Sequence, residues 1–283
     1  MSPVRKRKSR RARRKPAETG GRLNRVPVSE GYDHRVYTFY GRTSTGKTTL
    51  SGSFPGPAIL LDFGDRGMES IADRDHVEVS HIDSWGEFES AFWYLHQHPD
   101  EFATVIIDTI TELQHLAVEK VTGRKIKPGG GVESLSVTLN QWGDVSSMMI
   151  AAISSLCALP LDMVFNAQEK FFGGEEDEEP DEDEEIIPRV GPNLVPSAAC
   201  HLEAMSSVIG YTFIRKVWKK RKVKKGGGRT RTVRKQVPEF CLRIGPDSNY
   251  STKIRKPKHI EVPEVLVDCE YGDLLQIIKG EED

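Results

Sequence analysis

Eight consecutive residues, Gly41-Arg42-Thr43-Ser44-Thr45-Gly46-Lys47-Thr48, match the spacing G-x-x-x-x-G-K-[ST] at every fixed position. Glycines at both ends let the backbone curl so that successive N–H groups point at phosphate oxygens. Lys47 supplies a mobile point charge for β- and γ-phosphates, and the Thr48 hydroxyl can ligate Mg²⁺. Thr49 carries the chain into a helix whose positive end favours the same anion. The chemistry is that of holding a nucleoside triphosphate. A chance glycine turn followed by a lysine would have the same letters but not the same neighbours. Here residues 36–40 read as a buried strand entering the loop, and residues 49–51 as the helix leaving it.

Cleaving the triphosphate also needs a metal partner and a group that orients water. Two apolar runs end in a carboxylate, Ala58-Ile59-Leu60-Leu61-Asp62 and Ala103-Thr104-Val105-Ile106-Ile107-Asp108. Ligands of parallel sheets bind at the carboxyl ends of strands, so Asp108 reads as the metal partner with Thr48, and Asp62 points to the same region. An Asp after a strand is also a common helix N-cap, which is the competing reading for both. Candidates for activating water are Asp62, Asp65 and Glu112. Asn166 and Gln168, near the end of a later strand, could sense the γ-phosphate or cap a loop.

The elements that must position these residues alternate. After the loop come a strand at 58–62, a helix at 87–96, a strand at 103–109, a helix at 113–121, a long buried helix at 145–159 and a strand at 161–166. Strands apolar throughout, alternating with helices, predict an α/β fold with a mostly parallel sheet covered on both faces. The next part differs. Residues 207–220 and 231–244 read as two long strands joined through Gly226-Gly227-Gly228, a basic β-hairpin. The expected organisation is a basic arm at 1–30, a nucleotide-binding core at 31–172, and an acidic loop at 173–187. The remainder of the core follows at 188–270, with the hairpin at about 207–244, and a C-terminal tail at 271–283.

Charge is segregated although the net charge of the 283 residues is only −2. Residues 1–27 include Arg5, Lys6, Arg7, Lys8, Arg10 and Arg11 with almost no apolar side chain, so they cannot build a core. They read as a nucleic-acid arm, a localisation signal or a solubilising tail. Residues 175–185 are almost all Asp and Glu. The hairpin carries Lys219, Lys220, Arg221, Lys222, Lys224 and Lys225 around Trp218. Tyr211, Phe213 and Trp218 could stack on bases where exposed, or pack where buried. The four cysteines are widely spaced, without zinc-like spacing, which suits reduced thiols. No apolar run is long enough to span a bilayer, and no apolar segment follows the basic N-terminus, so a cytoplasmic protein without membrane partners is expected.

The ordered set of motifs resembles phage-encoded P-loop ATPases with a RecA-like core, the group that includes single-strand-annealing recombinases. The resemblance runs over roughly residues 33 to 260. It rests on the Gly41–Thr48 loop followed by Phe54-Pro55, on the strands ending at Asp62 and Asp108, and on Met163-Val164-Phe165-Asn166-Ala167-Gln168. Pro188 to Leu194, matching P-x-x-G-x-x-L, and Asn249-Tyr250-Ser251-Thr252-Lys253-Ile254-Arg255 complete it. The resemblance implies a RecA-like sheet, ATP and Mg²⁺, and single-stranded DNA as partner during recombination or repair. It also implies a ring or filament of identical subunits and a single-strand DNA-binding protein as a further partner. Lys253 and Arg255 would then reach the nucleotide of a neighbouring subunit and neutralise transition-state charge.

Two departures stand out. RecA-like enzymes place a glutamate two residues after the Asp ending the second strand; here that residue is Gly64, followed by Asp65. The loop after Gln168, where such proteins bind DNA, carries the acidic run. Three readings follow: a DNA-recombination ATPase, another P-loop class such as a helicase loader, packaging motor or small-molecule kinase, and a nucleotide-bound scaffold with negligible turnover.

Overall fold

The apolar runs become the middle of one sheet. A computed structural model describes residues 34–64, 66–126, 135–172, 189–225 and 229–280, with the side chains of 221–231 outside that description. The elements in chain order are β1 (Val36–Tyr40), α1 (Lys47–Ser51), β2 (Ala58–Asp62), a 3₁₀ turn (Gly67–Ile71), β3 (Val77–His81) and α2 (Trp85–Gln97). Then come β4 (Thr104–Asp108), α3 (Ile110–Thr122), α4 (Leu139–Cys157), β5 (Asp162–Ala167), β6 (Glu169–Phe172) and β7 (Arg189–Pro192). The chain continues through α5 (Pro196–Met205), β8 (Val208–Lys225), β9 (Arg229–Arg243), β10 (Lys253–Ile254), β11 (Val265–Val267) and α6 (Tyr271–Lys279).

The strand order is β11-β9-β8-β1-β5-β4-β2-β3, with β10 beside β8. Strands β8, β1, β5, β4, β2 and β3 run parallel, while β9, β10 and β11 are antiparallel additions. The mostly parallel α/β sheet expected from the sequence is therefore present. β5 lies between the strand that feeds the glycine loop and the strand that ends in Asp108. Both sheet faces are buried, as continuous apolar strands require. Ile59, Leu61, Val105, Ile107, Met163 and Phe165 pack in one cluster with α2 to α5, while Leu60, Ile106 and Val164 pack in the other with Leu50 of α1 and Leu274 of α6.

Caps fix the helix starts. Thr109 accepts from the Glu112 amide at 3.3 Å and starts α3, so the cap competing for Asp108 is taken by its neighbour. Thr138 and Gln141 form a capping box, which starts α4 six residues before the expected 145. The expected hairpin is β8–β9, in register from Tyr211↔Arg243 to Lys225↔Arg229. Residues 271–279, read from the sequence as part of a tail, form α6 instead. Its Leu274 and Ile278 are buried, and its apolar face lies against the α1 side of the sheet. The basic arm and the acidic run lie outside the described residues.

Candidate nucleotide site

The loop from Gly41 to Thr48 sits at the carboxyl end of β1, where its start is pinned by the Gly41 amide donating to the Ala167 carbonyl at 3.3 Å. Gly46 adopts φ 93°, a left-handed conformation that disfavours any side chain, and the Phe240 ring lies 3.3 Å from where a Cβ would stand. Lys47 is buried and its ammonium donates to the carbonyls of Gly41 (2.9 Å) and Arg42 (2.8 Å). The lysine thus lies across the loop it must serve. The Thr45 hydroxyl meets Thr212 of β8 at 2.7 Å, tying the loop to the base of the hairpin.

Thr48 and Asp108 meet at the carboxyl edge of the sheet. The Thr48 hydroxyl donates to Asp108 Oδ2 at 2.8 Å. Asn166, at the end of the intervening β5, donates to Asp108 Oδ1 at 3.1 Å and accepts from the Ser51 hydroxyl at 2.9 Å. One buried amide therefore locks the phosphate-loop helix to the Asp108 carboxylate. Burial pushes the Asp108 carboxyl above its ordinary range, against the lowering effects of Thr48, Asn166 and Lys47. Asp62, its register partner on β2, is also buried. It accepts from the Gly64 amide (3.1 Å) and faces His81 Nδ1 (3.0 Å), so it is not a helix cap.

The donor set fits Mg²⁺. It consists of oxygens only, an alcohol and a carboxylate 2.8 Å apart at the carboxyl edge, and Mg²⁺ takes such oxygens while keeping waters. Space there is made by Gly67, at which a Cβ would stand 2.5 Å from Asp108 Oδ2 and 2.6 Å from Thr48 Oγ1. Sequence reasoning missed Gly67. The signal available was the pair Gly64 and Gly67 flanking a charged dipeptide after a strand.

Two cavities meet at Gly46, Thr49 and Phe240. One of about 380 Å³ is lined by Ser44, Lys47, Thr48, Arg66 and Gly67 and suits phosphates and metal. The other, about 250 Å³, is lined by Leu50, Phe240, Leu242, Asp268 and Cys269 and is mainly apolar, which suits a nucleobase. Phe240, Thr212 and Arg66 were not singled out from the sequence. The first two sit on a hairpin read as basic, and Arg66 sits in a loop without periodicity.

The remaining candidates fall in different places. Gln168 is at the carboxyl edge, where its backbone N–H donates to the Thr111 hydroxyl at 3.1 Å. Glu112 bonds His115 on its own helix at 2.9 Å. Asp65 lies outside the described residues. Gly64 has φ 99°, and among the described residues nothing lies within 4 Å of where its side chain would begin. Lys253 donates to the carbonyls of Glu203 (2.7 Å) and Ala204, and Arg255 to Ala204 (2.8 Å). Both cap α5 beside the amino end of β8, away from this chain's own loop. Burial, then the Arg255 charge, lowers the Lys253 pKa.

On the hairpin, Tyr211 stacks on Tyr250 and Phe213, so these rings pack rather than wait for bases. Trp218 is 65% exposed. Lys219 faces Lys235 and Lys220 faces Arg234 across the strands. Only Lys219 of these four forms an ion pair among the described residues, to Glu239 at 3.1 Å. Arg221, Lys222, Lys224 and Lys225 lie on β8, and their side chains are outside the description, as are Arg5, Lys6, Arg7, Lys8, Arg10 and Arg11.

A glycine loop at the carboxyl edge, a threonine–aspartate pair beneath it and a parallel sheet with an inserted strand define a P-loop NTPase. The family model described as AAA domain matches residues 33–255, and the chain belongs to that family. No curated protein matches the sequence. No helix among the described residues is long and apolar enough to cross a membrane.

Proposed function

We propose that the protein is a Mg²⁺-dependent ATPase that works on single-stranded DNA during recombination or repair. The observation that supports hydrolysis is the Thr48–Asp108 pair, oriented by Asn166 and adjoining the Lys47 ammonium. Bound Mg²⁺ would be held by Thr48 and Asp108 and would supply charge neutralisation at the β- and γ-phosphates. The loop amides and Lys47 bind and orient the triphosphate. Phe240 offers a face to the base. Apolar walls on the Leu50 side exclude water from the nucleoside.

The DNA reading is supported by cations facing cations on β8 and β9. Such opposition destabilises a hairpin by up to about 1 kcal/mol per pair, and a polyanion relieves it. Exposed Trp218 beside them supplies a stacking surface. Because Thr212 and Phe240 of the same hairpin touch Thr45 and Gly46, DNA and nucleotide can be coupled through β8 and β9. The family likeness to phage recombinases, the head-to-tail assembly and the action of Lys253 and Arg255 on a neighbour's nucleotide belong to this proposal.

Filter binding at low salt, with phosphate release measured with and without single-stranded DNA, tests it. DNA retention and stimulated turnover are expected; no retention at low salt refutes the DNA half. A second reading, a nucleotide-bound scaffold with negligible turnover, is favoured by the open space at Gly64. Steady phosphate release excludes it.

A further inference from the structure

The site as described lacks a carboxylate committed to water. Thr109 follows Asp108, Gly64 stands where a glutamate is expected, and Asp62 is engaged with Gly64 and His81. Glu69 lines the phosphate-side cavity but is exposed to solvent; among the described residues a further carboxylate, buried and bonded to the loop itself, is Glu169. Glu169 begins β6, two residues past the end of β5, and its side chain is only 8% exposed. Its Oε1 accepts from Arg42 Nε of the phosphate loop at 2.8 Å. Its Oε2 is buried with no hydrogen-bond partner of normal geometry, although the Tyr211 hydroxyl is close enough that burial and Glu169 together raise the tyrosine's pKa. A buried carboxylate oxygen whose nearest polar neighbour is one poorly aligned tyrosine hydroxyl is costly, and such groups mark strain, function or a missing ligand. Arg42 is 75% exposed, so it can swing to a phosphate without losing packing.

We propose that Glu169 is the carboxylate that orients and deprotonates the attacking water, and that Arg42 is the positioning residue that holds it before nucleotide arrives. This rests on the ATPase reading. The triphosphate draws the Arg42 guanidinium, freeing Oε1. Water oxygen then forms a bond to the γ-phosphorus, the bond from that phosphorus to the β,γ-bridging oxygen breaks, and the water proton passes to Glu169. The products are ADP and inorganic phosphate, with the proton released to solvent from the carboxyl group. No oxidant or further reactant is needed.

The test compares wild type, Glu169→Gln, Glu169→Asp, Arg42→Lys and Lys47→Ala, with binding read by a fluorescent methylanthraniloyl-ATP and turnover by phosphate release. General-base removal costs about 10²–10⁴-fold. The expected result is a fall of roughly 100-fold or more in kcat for Glu169→Gln, with probe affinity within about threefold of wild type. Glu169→Asp retains part of the rate, which separates lost chemistry from lost folding. Arg42→Lys changes KM more than kcat. Equal kcat in wild type and Glu169→Gln overturns this inference alone. So does a matched loss of probe affinity in Glu169→Gln and Arg42→Lys with kcat unchanged, which would make the pair a structural latch. A wild-type protein that binds the probe but releases no phosphate overturns both this inference and the ATPase reading.

Discussion

Replacing Gly67 by alanine puts one methyl group against the Thr48–Asp108 pair, the cradle proposed to hold Mg²⁺. The added carbon would stand 2.5 Å from Asp108 Oδ2 and 2.6 Å from Thr48 Oγ1, whereas ordinary contact begins near 3.4 Å. The Thr48–Asp108 pair, or the loop carrying residue 67, must yield by roughly 0.9 Å. Asp108 cannot retreat easily, because Asn166 holds its other oxygen and its side chain is fully buried. A displacement of about 1 Å in a catalytic arrangement can cost 10²-fold in rate, so kcat should fall by roughly that factor. Nucleotide binding without Mg²⁺ depends on the loop amides and Lys47, which lie on the other side of Thr48, and should change little. The assay is phosphate release across a Mg²⁺ titration, paired with nucleotide binding in EDTA. Wild-type turnover with an unchanged Mg²⁺ midpoint would refute the assignment of this cradle to the metal.

Three further outcomes follow from particular contacts. Asp108→Asn should abolish Mg²⁺-dependent turnover while the metal-free protein melts no lower than wild type at pH 7. Burial raises the folded-state pKa of this carboxyl, so its contribution to stability is present below the unfolded pKa and is lost as pH rises through the folded one; the neutral amide removes that loss. Melting curves from acid to neutral pH check this, and a large drop in the variant's midpoint at pH 7 contradicts it. Phe240→Ala should weaken ATP by about 1–3 kcal/mol, the value of base–aromatic stacking, without altering competition by inorganic tripolyphosphate. Equal loss for both ligands would move the base elsewhere. Changing Lys219 and Lys220 to Gln should lower the slope of log affinity for single-stranded DNA against log salt by roughly 1.4. An unchanged slope would show that the hairpin does not touch phosphate.

Much of the fold is legible because its strands are buried on both faces. Runs such as Ile59-Leu60-Leu61 and Val105-Ile106-Ile107 have no other stable home, and the carboxylates that end them point to the site. β3 is not legible in this way, since an edge strand reading Val77-Glu78-Val79-Ser80-His81 is half exposed and carries little apolar signal. The start of α4 depends on a polar capping box rather than on periodicity. α6 is short and amphipathic, and its role is visible only once Leu274 and Ile278 meet the α1 side of the sheet. Within the site, the Gly41–Thr48 loop and Asp108 announce themselves by motif. Asn166 is singled out by its place near the end of a strand, but its bonds to Asp108 and Ser51, like the contacts of Gly67, Thr212, Phe240 and Glu169, join residues far apart in sequence that local pattern cannot express.

ATP hydrolysis coupled to DNA is read most simply from steady-state phosphate release with Mg²⁺, wild type against Lys47→Ala, with and without single-stranded DNA. Wild-type turnover should rise with DNA and be lost in Lys47→Ala. Equal phosphate release from the two proteins would contradict that expectation.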